Sequence, residues 1–302
     1  MEPILLHYEG SPYGELVRAA FGVKGLAWRS LIVPNVLPKP TQAELTGGYG
    51  RTPALQMGAD IYCDTAAMLP AIEALPGPSL YPAPLGTLHR IVANWAGSAQ
   101  FMAHVGAAMG NMPAEAMGGA FIADRQQRFG LDMAALGKAA PHLAGQALVA
   151  SAWLSDALAD GRSFIGGDAA GHGDLALYSN LWFVKAIPFA ADTAAQMLAR
   201  PGVQAWYDRI AAFGHGSRAE ISDDEAIAIA AAAEPRPVTG SVEAPYVKGM
   251  TAAVKSEGSN DPPVVGTLVR CDASGITLLR DGPRTGRVAV HFPRLGQIVM
   301  PA

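Results

Sequence analysis

The pattern of hydrophobic and polar positions changes twice along the chain. Up to about residue 78, short apolar runs alternate with amphipathic stretches, which predicts a mixture of strands and helices. Over residues 84–235 the apolar residues recur at helical spacing in alanine-rich segments, which predicts a helical bundle. Residues 236–302 carry short β-branched runs between glycine, aspartate and proline turns, which predicts a small antiparallel sheet or barrel. We therefore expect three domains, with bounds 1–78, 84–235 and 236–302.

The elements of the first domain are predicted in the order strand, helix, strand, proline-rich loop, hairpin, helix. Ser11 and Pro12 mark the start of the first helix, because serine is a favoured N-cap and proline is favoured at the first helical position. Asp64 and Thr65 mark the start of the last helix of this domain for a similar reason. In the C-terminal domain the clearest strands are predicted at residues 264–271, 276–279, 288–292 and 297–300.

Composition places the chain among compactly folded proteins, since 50% of its 302 residues are hydrophobic and 16% are charged. The longest run of small apolar residues, 226–233, is far shorter than the roughly 20 residues that a membrane span needs. No basic region followed by a long apolar stretch opens the sequence, so we expect no secretory signal, a cytoplasmic location and no membrane contact. Cys63 and Cys271 form no CxxC motif, which argues against a disulfide framework or a zinc site.

Charge is distributed unevenly between the domains. Residues 1–235 hold 14 Lys and Arg against 21 Asp and Glu, a net of −7, whereas residues 236–302 hold 8 against 5, a net of +3. The C-terminal arginines permit a nucleic-acid surface, but we favour salt bridges to the acidic remainder of the chain, and we expect no nucleic-acid partner. The seven histidines show neither HxxxH nor HxH spacing, so we expect no metal.

Three short motifs in the first domain carry candidate chemistry. Ser11 before Pro12 is most simply a helix cap, but a hydroxyl beside a helix N-terminus is also where a bound thiol can be held as its thiolate. Pro53, directly before a predicted strand, has a trans bond by base rate; with a cis bond, the backbone of Thr52 would be open to an extended peptide. Asp64 and Thr65 either cap a helix or recognise the ammonium and carboxylate groups of an amino acid.

Together, and in this order, these motifs resemble the N-terminal domain of the glutathione transferases that use a catalytic serine. The resemblance extends over residues 3–75. It implies an α/β thioredoxin-like N-terminal domain followed by an all-α helical domain, to which this chain adds its C-terminal β domain. It also implies which residues bind glutathione: Ser11 the sulfur, Thr52 and Pro53 the cysteinyl backbone, and Asp64 and Thr65 the γ-glutamyl end. Lys39 lies in the loop that often contacts the glycyl carboxylate in this family, although an ordinary solvated lysine is the simpler interpretation.

The resemblance continues into the helical domain. The segment 166–178 looks like the capping segment of the family's buried central helix, and it implies a structural role for Asp174. Gly171 stands where the family has Ser or Thr, which weakens the cap by a few tenths of a kcal/mol. Residues 236–302 have no counterpart in the ordinary transferase.

Three functions are weighed for the chain. The resemblance implies a homodimeric detoxification enzyme that conjugates glutathione, its co-substrate, to a small apolar electrophile. A non-catalytic binding or scaffold protein acting through the β domain is the alternative. A glutathione-dependent thiol oxidoreductase is disfavoured, because such enzymes have cysteine where this chain has Ser11.

Overall fold

The N-terminal domain has the thioredoxin-like arrangement that the sequence predicts. The computed structural model describes residues 2–302. Strand β1 pairs in parallel with β2 and antiparallel with β3, and β3 forms the predicted hairpin with β4. The elements in chain order are β1 (Ile4–His7), α1 (Pro12–Lys24), β2 (Ala27–Ile32), α2 (Pro40–Thr46), β3 (Ala54–Met57), β4 (Asp60–Cys63) and α3 (Thr65–Glu73).

This sheet buries both of its faces. Leu5 of β1 and Leu55 of β3 belong to the core that includes α1 and α3, whereas the alternate residues of β1, Ile4 and Leu6, belong to a second core with Leu45 of α2. Because successive side chains of a strand point to opposite faces, an uninterrupted apolar run suits a strand that is covered on both sides.

The middle of the chain forms the predicted helical bundle. Helices α4, α5 and α10 pack against the central helix α9, which also contacts α1 of the first domain, and α8 packs against α5. The helices are α4 (Leu88–Gly97), α5 (Ala99–Met109), α6 (Ala114–Met117), α7 (Gly119–Phe129), α8 (Met133–Ala157), α9 (His172–Ala186), α10 (Ala191–Leu198) and α11 (Val203–Ala211).

Asp174 has the structural role that was predicted for it. Its carboxylate is fully buried and accepts hydrogen bonds from the N–H groups of Gly171 and Ile165, at 3.0 and 2.9 Å, and from the indole of Trp206 at 2.9 Å. It therefore caps the start of α9 and holds the preceding loop against α11.

One strand lies in the stretch that was predicted to be wholly helical. Strand β5 (Ser217–Glu220) pairs in parallel with β2 at the edge of the N-terminal sheet, and α12 (Asp223–Ala231) follows it. The side chains of β5 are all exposed, so no apolar alternation marks the strand in the sequence. The backbone pairing with β2 is what defines it as a strand.

The C-terminal domain has five strands, and four of them were predicted. The strands are β6 (Thr251–Ser256), β7 (Val264–Asp272), β8 (Gly275–Gly282), β9 (Gly286–Phe292) and β10 (Gln297–Pro301). Strand β9 pairs in parallel with β4, in the register Asp60 with Ala289, Ile61 with Val290 and Tyr62 with His291. The C-terminal strands thus continue the thioredoxin-like sheet, and the order of the ten strands is β10-β6-β7-β8-β9-β4-β3-β1-β2-β5.

Opposite charges join this domain to the rest of the chain. Arg236 pairs with Asp60 at 3.2 Å, and Arg284 pairs with Asp224 at 2.6 Å. A bond of the reverse polarity connects Arg128 of α7 to Asp261 at 2.6 Å. Within residues 2–302, no helix has the length and apolar character needed to cross a membrane.

Candidate active site

A cavity of about 680 Å³ lies where the three parts of the chain meet. The N-terminal domain contributes the loop before β3 and the first turns of α1 and α3, and the bundle contributes faces of α4 and α9. The C-terminal domain contributes the ends of β7 and β9 and the turns beyond them. The residues that line the cavity include Tyr13, Arg51, Thr52, Pro53, Tyr62, Asp64, Thr65, Tyr81, Arg90, Arg236, Glu257, Arg270, His291, Phe292 and Arg294.

The loop before β3 enters the cavity at Thr52 and Pro53. The peptide bond between them is cis. Of the two isomers considered from the sequence, this is the one in which the backbone of Thr52 would be open to an extended peptide. Arg51 reaches across the cavity margin, where its guanidinium donates to the backbone oxygen of Glu257 at 2.7 Å. The C-terminal domain is therefore in direct contact with the loop that was predicted to bind the cysteinyl backbone.

Lys39 is not the solvated lysine of the simpler interpretation. It is 4% exposed, and its ammonium donates to the backbone oxygen of Gly50 at 3.0 Å and to the hydroxyl of Thr52. Burial, together with the charges of Arg128 and Arg125, lowers the pKa of Lys39 to about 7. Lys39 is absent from the cavity lining, so its place in the structure is that of an anchor for the Gly50-to-Thr52 loop.

Asp64 and Thr65 lie in the cavity at the junction of β4 and α3. The Asp64 carboxylate caps α3 by accepting from the N–H of Ala66 at 2.9 Å. Burial raises the pKa of Asp64, although the Ala66 bond and the charge of Arg51 oppose this shift. The backbone of Asp64 has a φ of 76°, a left-handed value that non-glycine residues seldom adopt and that often marks a functional position.

Ser11 has the geometry of a cap. Its hydroxyl accepts from the N–H of Gly14 at 3.0 Å, and the residue is 1% exposed and does not line the cavity. The neighbouring Tyr13 does line it; its hydroxyl donates to the backbone oxygen of Gly97 at 2.8 Å, and burial raises its pKa. The role of Ser11 toward a sulfur atom stays a prediction.

A buried polar network lies beneath the Ser11 turn. Arg18 bonds to the ring of His7 at 3.0 Å and to the carboxylate of Glu15 at 2.9 Å, and the hydroxyl of Tyr178 on α9 donates to the same carboxylate at 3.2 Å. Burial lowers the pKa of His7 to about 3, and the charge of Arg18 adds to this effect. The network fixes the start of α1 against the helical bundle.

The C-terminal wall of the cavity was missed in the sequence analysis. Arg270 of β7, Thr277 of β8, His291 of β9 and Tyr62 of β4 are successive register partners, so their side chains share one face of the sheet. The His291 ring bonds to the Thr277 hydroxyl at 3.0 Å and to Asp60 at 2.8 Å. In the sequence, the C-terminal arginines were the only indication of this wall. Which of them reach the cavity becomes clear only from the pairing of β4 with β9.

Cys63 and Cys271 are both buried, and burial raises the pKa of each thiol. Among residues 2–302, no group of three or more His, Cys, Asp and Glu side chains is arranged to hold a metal ion.

Comparison with known proteins identifies the family. A model of the glutathione S-transferase N-terminal domain matches residues 5–79, and one of the C-terminal domain matches residues 138–209. A crystal structure of a GST-like protein from Pseudomonas syringae is 33% identical, with a TM-score of 0.81, and the match covers 100% of this chain and 99% of that one. The match therefore includes the C-terminal β domain of this chain. A comparison with curated protein sequences finds no match.

More distant structures agree in fold alone. Glutathione S-transferase III is 20% identical with a TM-score of 0.52, and the match covers 70% of this chain and 92% of that chain. A beta-etherase from Sphingobium sp. strain SYK-6 is 18% identical with a TM-score of 0.51, and the match covers 70% and 96%.

A thioredoxin-like domain joined to a helical bundle, with a cavity between them, is the architecture of the glutathione transferases. This chain belongs to the glutathione S-transferase superfamily, as its sequence motifs predict.

Proposed function

We propose that this protein is a glutathione transferase that binds glutathione in the cavity and conjugates it to a small electrophile. The observation that carries the proposal is the convergence of Thr52, Pro53, Asp64 and Thr65 on one cavity. These residues come from two separate segments of the N-terminal domain, and they are the ones that the family resemblance assigns to glutathione.

Each of these residues offers a group that suits part of the tripeptide. The backbone of Thr52 pairs with the cysteinyl unit as an added strand would. The Asp64 carboxylate attracts the α-ammonium group, and Thr65, at the first position of α3, offers its N–H and hydroxyl to the carboxylate. The positive end of the α3 dipole supports the same contact.

Ser11 stabilises the thiolate in this proposal. Because its oxygen already accepts from Gly14, its proton is available to donate to sulfur. Lowering a thiol pKa from about 8.5 to about 6.5 takes roughly 2.7 kcal/mol, which one hydroxyl and a helix N-terminus together can supply. The thiol proton passes to solvent, the sulfur forms a bond to carbon, and the leaving group departs with its bonding electron pair.

The burial of Ser11 favours a second candidate, a protein that binds glutathione without turnover. At 1% exposure the hydroxyl has no open path to a sulfur atom until its neighbours move. Calorimetry with glutathione and an assay with an aryl halide separate the two candidates. A transferase is expected to show both binding and turnover, and the second candidate is expected to show binding alone.

The cytoplasmic location stays a prediction.

Replacement of Asp64 tests the binding site itself. Asp64→Asn keeps a helix cap and a residue that tolerates positive φ but removes the charge, so the Kd for glutathione is expected to rise about tenfold. Asp132→Asn is the matched control, because Asp132 caps α8 by accepting from Ala134 and Ala135. An unchanged Kd in Asp64→Asn would remove this residue from the site.

We also propose that the protein is a homodimer. Trp153 of α8, 58% exposed, stacks on Trp95 of α4 with ring centroids 5.7 Å apart. Leu88 and Ile91, which precede Trp95 on α4, are also exposed. Sedimentation analysis of the wild type and of Trp153→Glu is expected to show a dimer and a monomer, respectively.

A further inference from the structure

The C-terminal domain brings two uncompensated arginines into the cavity. Strands β4 and β9 run in parallel, with Tyr62 and His291 as their last register pair. The residues that follow the two strands therefore lie at the same end of the sheet, and they include Asp64 after β4 and Arg294 after β9. Arg270 enters the same wall from β7.

The positive charge of the cavity exceeds its negative charge. Arg51, Arg90, Arg236, Arg270 and Arg294 line it, against the carboxylates of Asp64 and Glu257. Three of the arginines have partners: Arg236 is paired with Asp60, Arg51 donates to the Glu257 backbone, and Arg90 lies over the Tyr81 ring at 4.8 Å.

Arg270 and Arg294 have no ion-pair partner among residues 2–302. The Nε of Arg270 is buried and has no hydrogen-bond partner in the same range of residues. The nearby Asp272 carboxylate accepts instead from the N–H groups of Ser241 and Ser274, at 2.9 and 2.8 Å. A buried donor without an acceptor is unfavourable, so the protein itself does not fully compensate the Arg270 guanidinium.

We propose that Arg270 and Arg294 bind a carboxylate of the ligand. The inference rests on the proposed function. A guanidinium presents two parallel N–H groups in the geometry of a carboxylate, and the half-buried aromatic ring of Tyr62 lies in the same wall of the cavity. The co-substrate class is therefore an aromatic carboxylate rather than the neutral apolar electrophile that the family resemblance implies. Glutathione itself also carries carboxylates, and the experiment separates the two sources.

The test uses two aryl chlorides that differ by one charged group, 2-chloro-1,3-dinitrobenzene and 4-chloro-3,5-dinitrobenzoate. Arg270→Lys and Arg294→Ala are expected to lower kcat/KM for the benzoate about tenfold and to change the value for the neutral chloride less than twofold. Arg287→Ala is the control, because Arg287 is exposed on β9, pairs with Asp281 and lies outside the cavity. If both chlorides lose rate equally and the Kd for glutathione rises, the carboxylate is that of glutathione.

Binding keeps this test independent of turnover. The unreactive 3,5-dinitrobenzoate is titrated calorimetrically into the full-length protein in the presence of glutathione, and its affinity is expected to fall about tenfold in Arg294→Ala. Failure of the wild type to convert either chloride contradicts the proposed function alone. If the variants match the wild type in benzoate binding, glutathione binding and both rates, the carboxylate site is overturned.

Discussion

Tyr62 of β4 and His291 of β9 are register partners across the junction between the two β regions, and their rings stack with centroids 4.6 Å apart. The imidazole also bonds to the Asp60 carboxylate at 2.8 Å, and Arg236 donates to the same carboxylate at 3.2 Å and to the Tyr62 hydroxyl at 2.7 Å. This cluster joins the C-terminal domain to the N-terminal domain and forms one wall of the cavity.

Loss of the Asp60 charge is expected to weaken the junction. Burial alone would raise the pKa of Asp60, but the bonds from His291 and Arg236 bring it below its usual value. Asp60→Asn is expected to lower the free energy of unfolding by about 3 kcal/mol, because it leaves the buried His291 ring and the Arg236 guanidinium with a poorer acceptor in place of a buried carboxylate. Urea denaturation measures the change. Asp281→Asn, at an exposed pair with Arg287, is expected to cost under 1 kcal/mol; equal losses in the two variants would contradict the argument.

Replacement of Ser11 is expected to affect both stability and rate. Ser11→Ala removes the bond to the Gly14 N–H and lowers the free energy of unfolding by about 1 kcal/mol. In the proposed mechanism it also lowers kcat/KM at least tenfold. Ser222→Ala, which removes the cap of α12, is expected to lose stability alone. Tyr13→Phe removes the other hydroxyl group near the start of α1. A larger loss of kcat/KM in Tyr13→Phe than in Ser11→Ala would assign stabilisation of the thiolate to Tyr13 instead of Ser11.

Removal of the Lys39 ammonium is expected to loosen the loop before β3. Lys39→Met leaves the Gly50 oxygen and the Thr52 hydroxyl without their buried donor. We expect the Kd for glutathione to rise several-fold, because Thr52 is no longer held in place. Lys39→Arg, which restores a donor, is expected to recover part of the affinity. Wild-type affinity in Lys39→Met would show that the anchor is dispensable.

Mild acid is expected to destabilise the fold. Burial lowers the pKa values of five histidines, and for His7 and His172 the value is about 3. The unfolded chain, with a histidine pKa near 6.5, then binds more protons than the folded chain, so stability is complete above that pH and falls as the pH drops. Between pH 7 and 5.5, each of His7 and His172 removes roughly 1 kcal/mol. Urea denaturation at the two pH values measures this; identical free energies would contradict it.

Sequence reasoning succeeded where one residue type serves one local purpose. Ser11 caps α1, Asp64 opens α3 and Asp174 caps α9 because short-range hydrogen bonding determines each position. It failed where the outcome depends on distant pairing. The exposed strand β5 follows no hydrophobic pattern, and the burial of Lys39 depends in part on α7, which is far from it in sequence.

The sequence pointed to the N-terminal part of the cavity lining but not to its C-terminal part. Asp64, Thr65, Thr52 and Pro53 converge as their motifs imply, because they all lie near one end of a small sheet. Arg270 and Arg294 could not be assigned from the sequence, because a small β domain has many ways to dock, and only the pairing of β9 with β4 brings these two arginines into the cavity.

The pairing of β9 with β4 also affects how the protein behaves in a crowded solution. Without residues 236–302, β4 would present a row of unpaired backbone groups beside the apolar Ile61 and Cys63, a surface on which strands of other molecules can add. In the full chain the open edges are instead β5, which is short and charged, and β10, which ends in proline. The short, charged β5 is a poor template for intermolecular strand addition, and we expect the covering of β4 by β9 to reduce aggregation.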